Sequence, residues 1–503
     1  MMSSFWQTAF WVLLAAIAVL ASALAGLASY LLWRRRKYSH IPSPPMANFF
    51  LGHLQPLVKA KDVSGTADHV FLKWASEIGD LFVTHAMWMS FVIVLNKDDV
   101  KKSSQARKVT GSLFGERFLG NGLVVIEDYE TWRPRRKLYD PAFNKSYLKD
   151  LCPKFNSCVE LFLDKLAPHA HGTTEVAFAS DFDSEWNHMP LLLKHSRATG
   201  VGSLLDHTFI GMQKAMDNPL YQVEWKGTSI LPYMMPSLPL QYLHPFETRS
   251  YRETIRAMRS IGRECIRKRI RAFDNGEDLP DDILTSILKV ASNDAAADIE
   301  TLVDDFVTFY IAGQETTANT LSFAVVLTCL HPEVQERLVS EVDEVLGGKT
   351  SVSAEDLERL QYTEQVIEET LRMYPPLAGT VKEAPSEGVT LSQYYMPAGT
   401  PLFTITSVAC RMPENFDDPD TFNPSRFDPE NPKPSPFVYF PFGVGHRSCI
   451  GKHFAMIEAK IILARLFQTF KVSLPLGYKV EVMEKGTRQP KGDVPCTLQC
   501  RSK

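Results

Sequence analysis

The stretch PFGVGHRSCIG, Pro441–Gly451, places one cysteine among glycines at the start of an apolar, helix-forming segment. A cysteine at a helix start meets unpaired backbone N–H groups and the positive end of the helix dipole, which both favour the metal-binding thiolate. Gly443, Gly445 and Gly451 allow a tight loop whose backbone lies close to a bulky, flat partner. Cys449 is therefore a candidate metal ligand, although the residue chemistry leaves the metal open. The other seven cysteines are interpreted as small hydrophobic residues of the core.

Several further segments have clear helical or strand patterns. Residues 299–330 lack proline and contain one glycine, Gly313, and they predict a helix of about 48 Å that must cross the core. Further helices are predicted to begin at Pro332, to cover residues 362–373, and to run from residues 449–451 to 469. Residues 82–96 are rich in Val, Ile, Phe and Thr and predict a strand. The fold class is therefore mainly α with a smaller β region.

Composition excludes several classes of protein. The chain has 503 residues, 45% of them hydrophobic, so it can bury a large core. Its formal net charge is -4 and its basic residues are spread along the sequence, which argues against nucleic-acid binding. The eight cysteines form no CxxC pair, so neither a disulfide framework nor a zinc ribbon is indicated.

The N-terminal segment predicts a membrane anchor. Residues 8–33 carry no charge and are long enough to cross a bilayer, and the basic cluster at residues 34–37 favours a cytosolic location for the rest of the chain. A cleaved signal peptide is the alternative, but the apolar run continues past its candidate cleavage site at residues 21–23. We expect a transmembrane anchor over residues 8–33, a basic and proline-rich linker over 34–50, and one domain over 51–503.

The cysteine motif resembles that of a known family. Phe442, Gly445, Arg447, Cys449 and Gly451 match, in order and spacing, the haem-ligand motif of the cytochrome P-450 monooxygenases. The resemblance implies the cytochrome P-450 fold, haem b as cofactor and Cys449 as the axial ligand of its iron. It also implies that Phe442 packs near the sulfur and that Arg447 binds a haem propionate.

Two more motifs of the family concern the fold and the haem edge. Glu369 and Arg372 match its ExxR element, with Arg426 as the downstream partner; alone, such a pair is usually a solvated ion pair of little worth. The resemblance implies that the three stabilise the fold beside the haem. It further implies that Trp132 and Arg136 bind a haem propionate, because a guanidinium group can bind a carboxylate through two hydrogen bonds. Lys382 is a third candidate for this role and stands where the family often has arginine.

The long helix contains the sequence AGQETT, residues 312–317, which matches the family's AGxET element. Alone, this would indicate a local helix distortion in which a hydroxyl bonds back to a carbonyl. The resemblance implies that Gly313 leaves room for the co-substrate O2. It also implies catalytic roles for Thr316 and Glu315, which would deliver the protons needed for O–O cleavage.

The reaction needs electrons from NADPH, and the chain has no GxGxxG fingerprint after a strand, so a separate NADPH-cytochrome reductase is expected as partner. Basic residues of the segments that flank the thiolate side in this family are candidates for docking it, a solvated basic face being the alternative. These are Arg133, Arg135, Lys137, Lys145, Lys149, Lys433 and Lys452.

Within the family, stretches such as DDFVTFYIAGQETTANTLSF and LERLQYTEQVIEETLRMYPP are similar to the cholesterol 24-hydroxylases. The resemblance implies a sterol or similarly long apolar substrate and an endoplasmic-reticulum membrane protein with a cytosolic catalytic domain. The pocket residues that it implies are Phe114, Leu119, Val125, Ala312, Ala378, Thr380, Gly486 and Thr487. Two departures are the small Ala378, where that group has a large aromatic residue, and the atypical segment 181–209.

Other functions remain open at this stage. The enzyme could oxidise another lipophilic substrate, such as a fatty acid or a xenobiotic. A haem-thiolate isomerase or dehydratase would need neither O2 nor a reductase, and the presence of Glu315 and Thr316 argues against it. A haem-binding relative without enzymatic activity is the third alternative.

Overall fold

Helices dominate the parts of the chain that the structure, a computed structural model, describes: residues 2–108, 120–177, 245–291, 298–492 and 494–501. The predicted pocket residues Phe114 and Leu119, and the atypical segment 181–209, lie outside them. The helices are α1 (Met2–Arg36), α2 (Leu54–Ser64), α3 (Asp68–Ile78), α4 (Lys97–Ser103), α5 (Tyr129–Tyr139), α6 (Lys145–Asp150), α7 (Cys152–Leu166), α8 (Pro245–Asp274), α9 (Ile283–Ala291), α10 (Ile299–Leu330), α11 (Pro332–Leu346), α12 (Ala354–Arg359), α13 (Gln361–Met373), α14 (Thr406–Ala409) and α15 (Lys452–Thr469).

The strands form small sheets. They are β1 (Leu81–Ala86), β2 (Met89–Val94), β3 (Arg107–Lys108), β4 (His171–Ala177), β5 (Gly379–Glu383), β6 (Val389–Leu391), β7 (Tyr394–Met396), β8 (Pro401–Ile405), β9 (Phe470–Ser473), β10 (Val482–Lys485), β11 (Thr487–Pro490) and β12 (Pro495–Cys500). A five-stranded sheet has the order β1-β2-β8-β5-β3, and β2 pairs with β8 in parallel, with Val92 opposite Leu402. A three-stranded sheet, β4-β12-β9, and the pairs β6-β7 and β10-β11 complete the described strands.

The prediction of one strand over residues 82–96 was wrong, because the segment is a hairpin. Strands β1 and β2 pair antiparallel around a turn at Met87 and Trp88. Met87 adopts a left-handed conformation with φ of 50°, and no glycine or asparagine marks the turn. The apolar pattern continues through the turn, so the sequence alone did not reveal it.

The long helix α10 confirms the prediction of a core-crossing element. It has the predicted bounds, and residues 317–328 are buried all round. Helix α10 packs against α8, α13 and α15 within the largest hydrophobic cluster. Helices α11 and α13 also lie where predicted, and α15 begins at Lys452, directly after Gly451. The core therefore holds the AGQETT segment and the helix after Cys449 next to each other.

Helix α1 contains a candidate membrane span. Residues 9–36 form a stretch that is long and apolar enough to cross a bilayer, and its most apolar part is exposed. The end of the helix contacts the rest of the molecule, because Leu31 is buried. Beyond it, Tyr38 and Ile41 join a hydrophobic cluster that includes Val83 of β1. The chain directly after α1 is thus part of the packing around the five-stranded sheet.

Candidate functional site

One cavity of about 330 Å³ brings together most of the predicted site residues. Helix α10, the loop that contains Cys449, the first turns of α15, and parts of α5, α13 and β5 line it. The predicted residues in its lining are Trp132, Arg136, Ala312, Thr316, Thr380, Phe442, Arg447 and Cys449. Segments more than 300 residues apart in the chain therefore meet at one site.

The loop around Cys449 is held in a tight conformation. The backbone N–H of Cys449 donates to the carbonyl of Phe442 at 2.7 Å. Gly445 has φ of 83°, and an added Cβ would lie 2.3 Å from the carbonyl oxygen of Ser104. Only glycine fits both the left-handed backbone and this close approach. The result is a compact loop that presents Cys449, an exposed residue, to the cavity.

Lys382 is close to this loop but does not line the described cavity. Its buried ammonium group donates to the carbonyls of Ser104 at 2.5 Å and Val444 at 3.3 Å. The lysine therefore connects β5 to the cysteine loop through backbone carbonyls.

The surroundings of the cysteines separate Cys449 from the rest. Burial raises the pKa of Cys410 and of Cys496 to about 12, so these thiols are protonated packing groups. Cys449, in contrast, lies just before the N-terminus of α15, where the helix dipole favours the thiolate. The interpretation of all seven other cysteines as core residues was wrong for Cys500, which is exposed near the end of the described chain.

Two guanidinium groups and one indole form a basic edge of the cavity. The Arg447 guanidinium lies 4.1 Å from the centre of the Trp132 ring, and that of Arg136 lies 5.9 Å from it. Arg447 donates to the carbonyls of Ile126 at 2.6 Å and Glu127 at 2.9 Å. Guanidinium groups arranged in this way suit the carboxylates of a bound cofactor.

On α10, Thr316 and Gly313 line the same cavity. The Thr316 hydroxyl donates to the carbonyl of Ala312 at 2.6 Å, the back-bond expected of a mid-helix threonine. An added Cβ at Gly313 would meet no atom within 4 Å, so the space beside this turn is open. The helix therefore offers a hydroxyl next to open volume, on a different element from Cys449.

The three predicted structural residues form one network. Arg372 donates to both carboxylate oxygens of Glu369, at 2.7 and 2.8 Å, and neither side chain is exposed. Arg372 also donates to three backbone carbonyls, and Arg426 lies 3.3 Å from Glu369. The pair is therefore a buried, fully bonded ion pair, unlike the solvated pair that an isolated ExxR would suggest.

The family follows from this arrangement and from comparison with known sequences. The sequence profile of the family described as Cytochrome P450 matches residues 42–496. The chain belongs to the cytochrome P450 family.

Relatives of this cytochrome P450 cover most of its length. Cytochrome P450 4d2 of Drosophila melanogaster is 29% identical over 89% of this chain and 91% of its own. Cytochrome P450 3A13 of Mus musculus is 26% identical over 76% of each chain. The 11-oxo-beta-amyrin 30-oxidase of Glycyrrhiza uralensis is 31% identical over 76% of this chain and 73% of its own. As a cytochrome P450, the protein is a monooxygenase that uses haem iron and molecular oxygen, which confirms the predicted enzyme class and cofactor.

The cavity of this cytochrome P450 fits a haem. Among the residues that the structure describes, Cys449 is the cysteine in the cavity lining, so the thiolate and the cavity occur together. The basic edge at Arg136 and Arg447 suits a flat group with anionic substituents on one side. The open space at Gly313 leaves room on the side of α10.

Other predicted residues of the cytochrome P450 site lie beside the cavity. Glu315 accepts a hydrogen bond from the Thr487 hydroxyl at 2.5 Å, and Thr487 in turn accepts from Asn319 at 2.9 Å. Neither Glu315 nor Thr487 is in the described lining. The predicted pocket residues Val125, Ala378 and Gly486 are also absent from it; Ala378 packs against the hydrophobic cluster of α3, β1 and β2.

The structure removes Arg135 from the candidates for reductase docking. Its guanidinium is mostly buried and donates to Asp305 of α10 at 2.7 Å, as well as to the carbonyls of Asn121 and Thr301. Burial raises the pKa of Asp305, while the charge of Arg135 lowers it. An aspartate pair in a core-crossing helix, residues 304–305, is the sequence signal that could have indicated this buried ion pair.

Proposed function

We propose that the protein is a haem-thiolate monooxygenase that hydroxylates a sterol or a similarly long polycyclic lipid, with Cys449 as the haem ligand. The observation that carries this proposal is that Cys449 and Thr316 line one cavity, from the loop before α15 and from α10. The basic edge supports binding of the propionates by Arg447 and Arg136 beside Trp132.

In this proposal, a bound haem would supply the activation of O2. The protein positions the cofactor and supplies the protons that the reaction consumes. Arg447 and Arg136 would neutralise the propionates and so orient the cofactor. The Thr316 hydroxyl, close to the open volume at Gly313, would orient a water molecule that carries protons into this space. Glu315, which accepts a hydrogen bond from the Thr487 hydroxyl, is the proposed acid that takes up protons from the surrounding solvent and passes them on.

An apolar wall supports a lipophilic substrate. Val124 and Leu377 are 40% and 51% exposed, although both line the cavity. Side chains of this kind in a concave site remove apolar surface of a ligand from water. The resemblance of several sequence stretches to the cholesterol 24-hydroxylases points to a sterol, and one relative is named 11-oxo-beta-amyrin 30-oxidase.

The substrate is tested by incubating the full-length protein with NADPH, a microsomal cytochrome reductase, and matched sets of sterols, triterpenoids and long-chain fatty acids. Mass spectrometry of the products and substrate-induced shifts of the haem spectrum are the measurements. We expect hydroxylated products and a binding shift with sterols. Turnover of fatty acids or xenobiotics without any sterol product would instead support the alternative lipophilic substrates. A thiolate-type haem spectrum without turnover of any compound would support a relative without enzymatic activity.

We further propose a single-pass protein of the endoplasmic reticulum membrane, with its catalytic part in the cytosol. The apolar helix α1 and the basic residues directly after its apolar part support this orientation. Exposed basic residues that remain candidates for docking an acidic reductase are Arg133, Lys137, Lys145, Lys433 and Lys452, whereas Lys149 is half-buried and paired with Glu358 at 2.5 Å. Protease added to intact microsomes should degrade the catalytic part; its protection would contradict the orientation.

A further inference from the structure

Arg35, in the last turn of α1, is a buried arginine. It is 9% exposed, and none of its guanidinium nitrogens, Nε, Nη1 and Nη2, has a hydrogen-bond partner among the described residues. The Nε of Arg34 is likewise buried and without a partner in the described chain. The next two residues, Arg36 and Lys37, are exposed. A cationic group is therefore enclosed at the point where the candidate membrane helix meets the rest of the molecule.

The other arginines that are buried in the described part of the chain are each paired with a carboxylate. The pairs are Arg269 with Asp282 at 2.8 Å, Arg372 with Glu369 at 2.7 Å, Arg465 with Glu160 at 2.5 Å and Arg488 with Asp68 at 2.7 Å. A charge that leaves water without a counter-charge is costly, and an arginine does not avoid this cost by losing its proton. The position of Arg35 therefore calls for an anion that the described residues do not supply.

Two buried histidines lie near Arg35 and are engaged in other hydrogen bonds. The Nε2 of His53 donates to the carbonyl of Pro44 at 2.8 Å, and its Nδ1 accepts from the backbone N–H of His85 at 2.9 Å. The Nδ1 of His85 is bonded to the Ser90 hydroxyl at 2.9 Å. Burial lowers the pKa of both histidines, and the charge of Arg35 lowers each pKa further. Both rings are thus neutral at pH 7, and neither offsets the charge of Arg35.

The ring of Phe49 lies against the guanidinium group. Its centre is 5.1 Å from the guanidinium carbon of Arg35, a cation–π contact that is weak compared with the loss of hydration. Phe49 is 40% exposed and belongs to a tight turn, residues 48–52 (the Phe49 turn), in which the N–H of Gly52 donates to the carbonyl of Asn48 at 2.8 Å. An exposed ring can rotate while the turn stays closed, and this rotation would open Arg35 to a ligand from the surface.

The surroundings favour a lipid as the source of the anion. Arg35 directly follows the most apolar part of α1, so in a membrane-spanning helix it would lie at the depth of the lipid headgroups. Large apolar side chains are exposed before it and in the segment that follows: Trp33, Met46, Phe50 and Leu51. A ligand that combines a phosphate group with acyl chains would contact both the guanidinium group and these side chains, whereas free phosphate would use the guanidinium group alone.

We propose that Arg35, together with Arg34, binds the phosphate group of one anionic phospholipid between the end of α1 and the Phe49 turn. A guanidinium group donates two parallel hydrogen bonds to a phosphate, so one lipid headgroup satisfies the buried charge. The exposed Arg36 and Lys37 contribute only the general attraction of a basic segment to an anionic surface. The bound lipid then joins the anchor helix to the catalytic part. This site rests on the membrane location proposed above.

The first test counts bound lipid. Native mass spectrometry of the full-length holoenzyme in detergent micelles, with added dioleoylphosphatidylglycerol, should show one retained lipid per protein. Arg35→Gln should weaken the binding of this lipid by roughly tenfold or more, because it removes charge-assisted hydrogen bonds. Arg36→Gln removes the same charge from an exposed position and should retain the lipid. Equal weakening in the two variants, or no weakening in Arg35→Gln, would overturn the proposal.

The second test identifies the part of the ligand that is recognised. A ligand that binds only the folded state raises the unfolding temperature. We expect this rise in the wild type and in Arg36→Gln with dioleoylphosphatidylglycerol, and its absence in Arg35→Gln. Without lipid, Arg35→Gln should be at least as stable as the wild type, because it removes an unpaired buried charge. An equal rise with inorganic phosphate, or with dioleoylglycerol, which has the same chains and no phosphate, would overturn the assignment to a phospholipid.

Failure of the earlier proposals gives different results. If the wild type did not float with vesicles in a density gradient, the membrane location would be wrong, and this site with it. If it floated normally but retained no lipid in micelles, only the site would be wrong. The thiolate-type haem spectrum should be the same in Arg35→Gln and Arg36→Gln, so the monooxygenase function is tested independently.

Discussion

At the scale of single residues, the position of Cys449 depends on the backbone around it. Gly445 can approach Ser104 only without a Cβ, and the N–H of Cys449 is fixed to Phe442. These contacts aim the thiol at the cavity while the helix dipole of α15 favours its ionised form. The same residue type in β12, Cys496, is buried and has a raised pKa. Surroundings, and not the side chain alone, therefore distinguish the proposed ligand Cys449 from a packing residue.

Replacing Cys449 with serine should abolish thiolate-ligated haem, because a hydroxyl is a far weaker donor to iron than a thiolate. The carbon-monoxide difference spectrum of the reduced protein is the measurement, and membrane association should be unchanged. Cys500→Ser, which changes an exposed cysteine far along the chain, is the matched control and should keep the spectrum. A thiolate-type spectrum in Cys449→Ser would show that another cysteine is the ligand.

Thr316→Ala should keep haem and substrate binding but lower product formed per NADPH by roughly tenfold or more, because it removes the hydroxyl that we propose positions proton-bearing water. Thr316→Ser retains the hydroxyl and should retain most of the coupling. Product and peroxide are measured in the same incubation. Equal coupling in the alanine and serine variants would contradict the role of this hydroxyl.

The residues that sequence could identify belong to short, local patterns. The cysteine loop and AGQETT each fit within eleven residues, so their chemistry is visible before folding. Arg135 and Glu458 could not be assigned in this way. Arg135 finds its partner 170 positions away, and Glu458, a buried acid in the cavity lining, looks in the sequence like any polar residue of a helix. Tertiary burial determines what such groups do.

At the scale of elements, the ion pair in α13 ties that helix to the segment containing Arg426. Glu369 accepts from Arg372 and from the backbone N–H of Asn423, so one carboxylate serves both elements. Arg372→Ala should lower the free energy of unfolding by about 3–5 kcal/mol, because it leaves a buried carboxylate without its main partner. Arg359→Ala, at an exposed position of α12, is the control and should change it little. Chemical denaturation of both variants measures the change in the free energy of unfolding. Similar denaturation midpoints for Arg372→Ala and Arg359→Ala would contradict the prediction.

The β1-β2 hairpin predicts a pH dependence of stability. Burial lowers the pKa of His85 to about 3, and its ring nitrogen is bonded to the Ser90 hydroxyl at 2.9 Å. Between pH 6.5 and 3 the unfolded chain therefore binds a proton that the folded chain excludes, so the folded state loses stability as the pH falls through this window. The expected loss between pH 7 and pH 5 is about 2 kcal/mol.

The measurement for the hairpin is the unfolding midpoint at pH 7 and at pH 5. His85→Asn removes the titrating group and should reduce the difference between the two midpoints, whereas His169→Asn, at an exposed position, should not. An unchanged difference in His85→Asn would show that another group dominates the acid sensitivity.

The accuracy of the sequence predictions also differed between elements. The helices α10, α11 and α13 were found where expected, since proline, glycine and apolar periodicity mark their ends. The hairpin was missed because the turn at Met87 uses no residue that favours a left-handed backbone. Local chemistry thus reveals long helices better than tight turns held by tertiary pairing.

At the scale of the whole molecule, the C-terminal end of the candidate membrane helix α1 and the residues just after it pack against the catalytic part. Removing residues 2–30 should release the protein from membranes and keep the haem spectrum. Removing residues 2–41 should in addition lower the unfolding temperature, because Tyr38 and Ile41 are buried beside Val83, and each buried apolar side chain contributes about 1.5–3 kcal/mol. Membrane fractionation and thermal unfolding are the measurements. If the variant that lacks residues 2–30 stayed in membranes washed at alkaline pH, the protein would have a second membrane contact.

The parallel pairing of β2 with β8 has a consequence for biosynthesis. Val92 needs a neighbour that comes about 310 residues later in the chain, Leu402, so the hairpin emerges from the ribosome long before the central strand of its sheet exists. At usual translation rates the interval is on the order of 15 to 60 s. During that time one edge of the hairpin is unprotected. Chaperone binding to arrested nascent chains should therefore extend until residues 401–405 have left the exit tunnel.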